Sequence, residues 1–140
     1  MIGRTVSHYR VTAKLGSGGM GVVYEAEDTK LGRHVALKFL PVGMAQDTEA
    51  LQRFQREARA ASRLNHPNSI AVLDFGAAED GTLFMAMEYL SGRDLAQVIS
   101  QDWPLPEPRI VRIGAQSLSA LAEAHAQGII HRDLKPENVM

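Results

Sequence analysis

Four glycines in six residues, Gly16-Ser17-Gly18-Gly19-Met20-Gly21, separate two stretches that both carry strand patterning. Before them, Tyr9-Arg10-Val11-Thr12-Ala13-Lys14-Leu15 alternates as a half-buried strand does. After them, Val22-Val23-Tyr24-Glu25-Ala26 is β-branched and aromatic. Glycine in such a loop permits positive φ and removes the Cβ that would hold a phosphate away from backbone amides. A dinucleotide-binding turn, as in a nicotinamide oxidoreductase, would open into a helix. The residues after Gly21 predict a strand–loop–strand hairpin instead. Taken alone, the loop fits either a phosphate cradle or an ordinary glycine-rich turn.

Asp28 to Arg33 reads as a turn, and His34-Val35-Ala36-Leu37-Lys38-Phe39-Leu40 as a third strand. Alternation puts Val35, Leu37 and Phe39 on one face and Ala36, Lys38 and Leu40 on the other. Lys38 thus sits in an otherwise apolar row, where its stem can lie on the sheet while its head reaches water. The following helix has Asp47 or Thr48 as its cap and ends at Asn65-His66-Pro67. At about 100° per residue, Leu51, Phe54, Ala58, Ala61 and Leu64 share a sector of roughly 140°. Gln52, Gln55, Arg53, Arg56, Arg59 and Arg63 fall outside it, and Glu57 falls inside. A carboxylate on a core-facing stripe is costly unless a cation meets it. Lys38 is the candidate partner; the competing reading bends Glu57 outward at the stripe's edge.

Asn68–Phe75 and Thr82–Tyr89 read as two strands around a turn at Glu79-Asp80-Gly81, with His66 satisfying local backbone at the helix end. A short helix is expected over Ser91–Ile99, and Trp103–Pro108 breaks the chain. A longer helix then runs from Pro108 to Gln127, with His125 packed on its face and Gly128 as its stop. The chain closes on His131-Arg132-Asp133-Leu134-Lys135-Pro136-Glu137-Asn138, a possible base, two cations and a carboxamide within eight positions.

That octet, after the glycine loop, Val35-Ala36-Leu37-Lys38 and Glu57 in that order, resembles the catalytic domain of eukaryotic-like (bacterial-type) serine/threonine protein kinases. The resemblance implies an α+β, two-lobed fold. A five-stranded antiparallel sheet plus one helix would form the N-lobe and hinge over residues 9–90, and residues 91–140 would begin an α-rich C-lobe. It also implies ATP and Mg²⁺ as cofactors and a protein Ser/Thr hydroxyl as acceptor. By resemblance, Leu15, Gly16, Ser17, Gly18, Gly19, Gly21 and Val23 form the nucleotide loop. Lys38 holds the α- and β-phosphates and is held by Glu57. Leu15, Val23 and Ala36 roof the adenine slot, Met87 guards its back, the Glu88 carbonyl and Leu90 amide meet adenine's edge, and Met140 lines its floor. Asp133 would orient the hydroxyl and accept its proton, Lys135 would neutralise charge on the moving phosphoryl group, and Asn138 would bind Mg²⁺. Arg132 would meet a phosphorylated activation segment, and His131 would support the loop's backbone. Asp74-Phe75-Gly76 spells the family's metal-binding tripeptide but precedes the octet, so it is a decoy and takes no metal.

A whole domain of this type runs to roughly 250 residues, so the 140 residues correspond to its first half. The expectation is a truncated domain, inactive by itself, with part of its apolar surface exposed. The alternative is a catalytically dead nucleotide-binding module, pseudokinase-like, that pairs with another kinase. A net charge of −1 gives no footprint for nucleic acid or anionic membrane. Cysteine is absent, which excludes disulfides and thiolate metal sites. No stretch has the length of a membrane span; the expected location is cytoplasmic, unless the parent carries an anchor elsewhere.

Overall fold

The computed structural model describes residues 1–18, 21–41, 43 and 46–140, so Gly19 of the expected nucleotide loop lies outside the described residues. The chain forms two units, one of Met1–Arg63 with Ala71–Tyr89, the other of Leu64–Ile70 with Leu90–Met140.

The first unit is built on an antiparallel sheet in the order β1-β2-β3-β4-β6-β5. Its strands are β1 (Thr5–Val6), β2 (Tyr9–Gly18), β3 (Gly21–Asp28), β4 (Arg33–Phe39), β5 (Val72–Ala77) and β6 (Leu83–Glu88). The sheet therefore has six strands and not the expected five. The extra one, β1, pairs Thr5 with Arg10 and Val6 with Tyr9. Two residues are too few to leave a periodic signal, and the turn between the strands uses Ser7 at a φ of 55°. Outer backbone bonds from Gly3 to Val11 and from Val11 to Arg4, both 2.9 Å, complete this edge.

Alternation on β4 works as the sequence implied. Val35 and Leu37 are fully buried and Phe39 nearly so, in a core with Val6, Tyr9, Val11, Ala26, Phe84 and Ala86. Each such aliphatic or aromatic side chain contributes about 1.5–3 kcal/mol on leaving water. The Tyr9 hydroxyl, carried into this core by its ring, donates to Asp74 Oδ2 at 3.0 Å. Burial, together with this bond and the Asp74 charge, pushes the phenol well above its ordinary value. Asp74 of the decoy tripeptide is thus a strand residue that anchors Tyr9.

The glycine loop continues the strands beyond the expected end at Leu15. β2 runs on to Gly18, which pairs with Gly21, and bulges fall between Val11 and Ala13 and between Lys14 and Gly16. At Gly21 the backbone has a φ of 114°, and a Cβ would lie 1.9 Å from the Phe39 carbonyl oxygen. Only glycine fits where β3 crosses β4 this closely.

Helix α1 (Thr48–Arg63) packs beside β5. Asp47 caps it, its Oδ1 accepting from the N–H groups of Glu49 and Ala50 at 3.0 and 3.1 Å. Phe54 and Ala58 are the buried residues of the helix, and the Phe54 ring meets Phe75 edge-on at 6.3 Å. Glu57 lies in the apolar sector by angle but is exposed. The helix touches the sheet over a stripe narrower than the sector, which leaves this carboxylate exposed.

In the second unit, α2 (Leu95–Asp102) opens on a capping box. Gln97 N–H donates to Asp94 Oδ1 at 2.8 Å, and Asp94 N–H donates to Gln97 Oε1 at 3.1 Å. Arg93 forks onto Asp102 at 3.0 and 2.8 Å, and Arg109 reaches the same carboxylate at 3.4 Å. The Arg93 hydrogen bond first, and both charges with it, hold Asp102 below the ordinary carboxylate range. Helix α3 (Glu107–Ala126) has Pro108 in its first turn and is followed by Gly128 at a φ of 74°. His66 accepts from the Asn68 N–H at 3.0 Å through Nδ1, and its Nε2 lies 2.9 Å from Ser119 Oγ. This ties 64–70 to α3 and delays β5 to Val72, where the sequence pattern had started it at Asn68. His125 is exposed and not packed as expected, and Ile110, Val111 and Leu118 on α3 also face solvent in this chain.

Candidate active site

In the second unit, the octet folds back on itself. Arg132 takes a φ of 67°, rare for a side chain of its size. A left-handed residue there reverses the chain just before Asp133. The His131 Nδ1 accepts from the Asp133 N–H at 3.2 Å, in the supporting role expected of it. Pro136–Asn138 make one 3₁₀ turn, for which Pro136 suits the first position because no donor is needed there. The Asn138 N–H closes it on the Lys135 carbonyl at 2.9 Å, and the Leu95 N–H at the start of α2 holds the Val139 carbonyl at 2.7 Å. This last bond ties the segment to a helix far away in sequence, and nothing in the sequence pattern flagged it.

The turn brings three of the expected residues together. The Asn138 carboxamide donates through Nδ2 to the Asp133 carbonyl at 2.8 Å and to its Oδ2 at 3.3 Å. Lys135 Nζ stands 3.4 Å from the same Oδ2. Asp133 and Lys135 are both about half exposed, so their Coulomb attraction is weakened by water. Asp133 Oδ1 and Asn138 Oδ1 are both oxygens that accept. Met140, expected at the slot's floor, is exposed.

In the first unit, register does the assembling. Val23 pairs with Lys38, Lys38 with Met85 and Met85 with Phe75. Partners in register share a face, so this row lies on the side of the sheet opposite the core, the side on which Phe54 of α1 meets Phe75. Ala36 pairs with Met87 and lies on the same face as Lys38. Val23, Ala36, Lys38 and Met87 thus occupy one face, as four of the expected nucleotide contacts. Leu15 is exposed at the bulge, and Gly16, Ser17 and Gly18 lie in the paired arm of the loop. Glu88 is held in β6 by its N–H on the Ala71 carbonyl and by its Oε1 on the Ala71 N–H, each 3.0 Å. Leu90 opens the second segment of the second unit, Leu90–Met140.

A metal must find its ligands in this donor set. Among the described residues no group of three or more His, Asp or Glu could hold one. Mg²⁺ bonds hard oxygens and takes many of them from nucleotide phosphates. The Oδ1 of Asn138 suits that role as one ligand among phosphate oxygens, and the residues fit a nucleotide-borne ion better than a free one.

The protein kinase domain family matches residues 9–140. The chain is 59% identical over 140 residues to the serine/threonine-protein kinase pkn3 of Myxococcus xanthus, covering 99% of this chain and 26% of that protein. It is 42% identical to the serine/threonine-protein kinase PrkC of Bacillus subtilis, covering 22% of that protein. The crystal structure of the Mycobacterium tuberculosis PknI kinase domain superposes with a TM-score of 0.86 at 38% identity, over 99% of this chain and 55% of that one. The chain therefore belongs to the protein kinase family. Its similar relatives are serine/threonine kinases, and it spans about a quarter of the length of these curated relatives.

Proposed function

We propose that the protein carrying this chain transfers the γ-phosphoryl group of ATP to serine or threonine hydroxyls of proteins. On this reading residues 9–90 are the N-lobe and hinge and residues 91–140 the start of the C-lobe. The observation that carries it is the Asp133–Lys135–Asn138 cluster. Oδ2 of Asp133 is engaged by the Asn138 amide and faces the Lys135 ammonium, which leaves Oδ1 to align the acceptor hydroxyl and take its proton. Lys135, half exposed at its side chain, offsets charge on the transferred group. Asn138 presents Oδ1 to Mg²⁺, which when bound with ATP neutralises the phosphate oxygens.

Lys38 on the sheet face holds the α- and β-phosphates, and Glu57 fixes Lys38. Support comes from the register that sets Lys38 beside Met85 and Phe75 on the side of the sheet that meets α1. Glu57 is three residues beyond Phe54, so it lies near the same side of the helix. Gly16, Ser17, Gly18, Gly19 and Gly21 cradle the phosphates. Leu15, Val23, Ala36 and Met87 cover adenine from the sheet of the first unit, with the Glu88 carbonyl on its edge. The reading places the protein in the cytoplasm; among the described residues no helix is long and apolar enough to cross a membrane.

The test is transfer of labelled phosphate from ATP with Mg²⁺ to casein by the whole protein. Asp133→Asn should lower the rate about a hundredfold or more while a thermal shift with ATP persists. Undiminished transfer by that variant would overturn the assignment. ATP binding without transfer by the unaltered whole protein would instead favour the nucleotide-binding module.

A further inference from the structure

We infer that His34 is a positioning residue that, through Tyr89, fixes the Glu88 carbonyl against the nucleotide base and so makes the site favour ATP over GTP. This rests on the nucleotide reading proposed above and extends it to a residue outside the slot. Strands β4 and β6 run antiparallel, with Ala36 opposite Met87 and Val35 opposite Glu88. One step further in that register His34 comes opposite Tyr89, the first residue beyond the end of β6. On β4, His34 lies on the face of Ala36 and Lys38, because alternate residues share a face. The His34 and Tyr89 rings meet there, their centroids 6.3 Å apart and their planes at 44°, a separation within the range of aromatic contacts. The imidazole is itself held, with Nδ1 2.7 Å from Glu25 Oε1. Glu25 pairs with Ala36 and not with His34, whose own partner on β3 is Glu27. The bond therefore draws the imidazole along the sheet toward the row of Ala36 and Met87.

The Glu88 carbonyl belongs to the peptide unit between Glu88 and Tyr89, and a planar peptide turns as one piece. Ala71 fixes its near end, taking the Glu88 N–H on its carbonyl and giving its own N–H to Glu88 Oε1, each at 3.0 Å. A Tyr89 ring seated on His34 fixes the far end. Two anchors then set where the carbonyl points. Adenine offers an amino donor at its six-position, which a carbonyl accepts, whereas guanine offers an oxygen there, and two acceptors repel. A carbonyl that cannot turn aside keeps this discrimination, and one released to rotate relaxes it. The bland alternative is a surface pair: the His34 side chain is 59% exposed and Glu25 21%. An exposed pair of that kind adds little to stability and would have no bearing on the base.

Isothermal titration calorimetry of the whole protein with the Mg²⁺ complexes of ATP, GTP and tripolyphosphate tests this, alongside phosphate transfer to casein at saturating ATP. His34→Ala should weaken ATP about fivefold, leave tripolyphosphate unchanged and so narrow the preference for ATP over GTP, with the saturated transfer rate unaltered. His34→Phe keeps a ring against Tyr89 and should restore ATP affinity. His34→Gln, which keeps a hydrogen bond to Glu25 without the ring, should match His34→Ala. Leu31→Ala, an exposed change in the turn before β4, should leave every value in place. An unchanged ATP preference in His34→Ala, an equal loss for tripolyphosphate, or restoration by Gln and not by Phe would each overturn this inference alone. Failure of the unaltered protein to bind ATP would overturn it together with the nucleotide reading.

Discussion

Asn138 holds Asp133 at two points, the backbone carbonyl at 2.8 Å and the carboxylate Oδ2 at 3.3 Å, with a single Nδ2. One side chain therefore sets both the path of the main chain and the rotation of the carboxyl group. Asn138→Ala removes both bonds at an exposed site, so stability should change by less than about 1 kcal/mol. Transfer by the whole protein should nonetheless fall at least about tenfold, because a carboxylate free to rotate is no longer aligned with an acceptor. Rates and a denaturation midpoint measured on one preparation separate the two effects.

Leu37 is fully buried at the centre of the β4 row, between Val35 and Phe39, and faces Tyr24 and Ala86 in register. Leu37→Ala should cost about 2–5 kcal/mol through lost transfer energy and the cavity left behind. Leu31→Ala in the β3–β4 turn, where the side chain is 66% exposed, should cost under about 0.5 kcal/mol. Urea titrations of the two variants give the comparison directly. Equal losses would mean that the core does not lie on the Leu37 face.

The contrast between Leu37 and Glu57 shows what the sequence could convey. A strand's period of two leaves only two faces, so Val35, Leu37 and Phe39 could be put on one face without knowing what they packed against. A helix offers a continuous range of angles, and angle alone does not give depth, so Glu57 falls in the apolar sector and is nonetheless exposed. Caps were legible to within a residue because Asp47 and Thr48 are both good caps; the structure selects Asp47. β1 was missed because two residues have no period. The start of β5 was misplaced because Ser69 to Ala71 are compatible with a strand, while the His66–Ser119 contact that draws 64–70 toward α3 joins distant parts of the sequence. For the same reason Asp133, Lys135 and Asn138 were legible, lying within six positions, and the Leu95–Val139 bond that steadies them was not.

Asp28 should make unfolding depend on acid. It is 1% exposed at the end of β3, and its Oδ1 accepts from the N–H groups of Lys30 and Leu31 at 3.0 and 3.1 Å. Burial pushes its pKa up, but the Leu31 and Lys30 donors, with His8 and Arg33 nearby, outweigh burial and hold the carboxyl below its ordinary 3.8. A depressed folded value means the folded state favours the ionised form. The resulting stability is fully present above about pH 4 and is lost as pH falls through the lower folded value. Asp28→Asn should therefore lower stability near neutrality and flatten the acid limb of a pH–midpoint curve. An acid limb of unchanged steepness in the variant would assign that limb to other carboxylates, Asp102 among them, whose shift has the same sign.

Gly21 and Gly16 stand at the two arms of the same loop, yet they should respond differently to one added methyl group. At Gly16 nothing lies within 4 Å of where a Cβ would be placed and φ is ordinary. At Gly21 φ is 114° and the Cβ would fall 1.9 Å from the Phe39 carbonyl oxygen, a backbone atom that cannot rotate aside. Gly21→Ala must therefore push β3 away from β4 next to the pair of Val23 and Lys38. A loss of about 1–3 kcal/mol is expected for it, against no more than about 0.5 kcal/mol for Gly16→Ala. If Lys38 holds phosphate as proposed, Gly21→Ala should also weaken ATP binding in a thermal-shift titration at temperatures where the variant remains folded. Gly16→Ala, by contrast, tests whether a Cβ obstructs the approach of phosphate to the loop: weaker ATP binding with an unchanged melting point would mark Gly16 as a ligand contact and not a structural one.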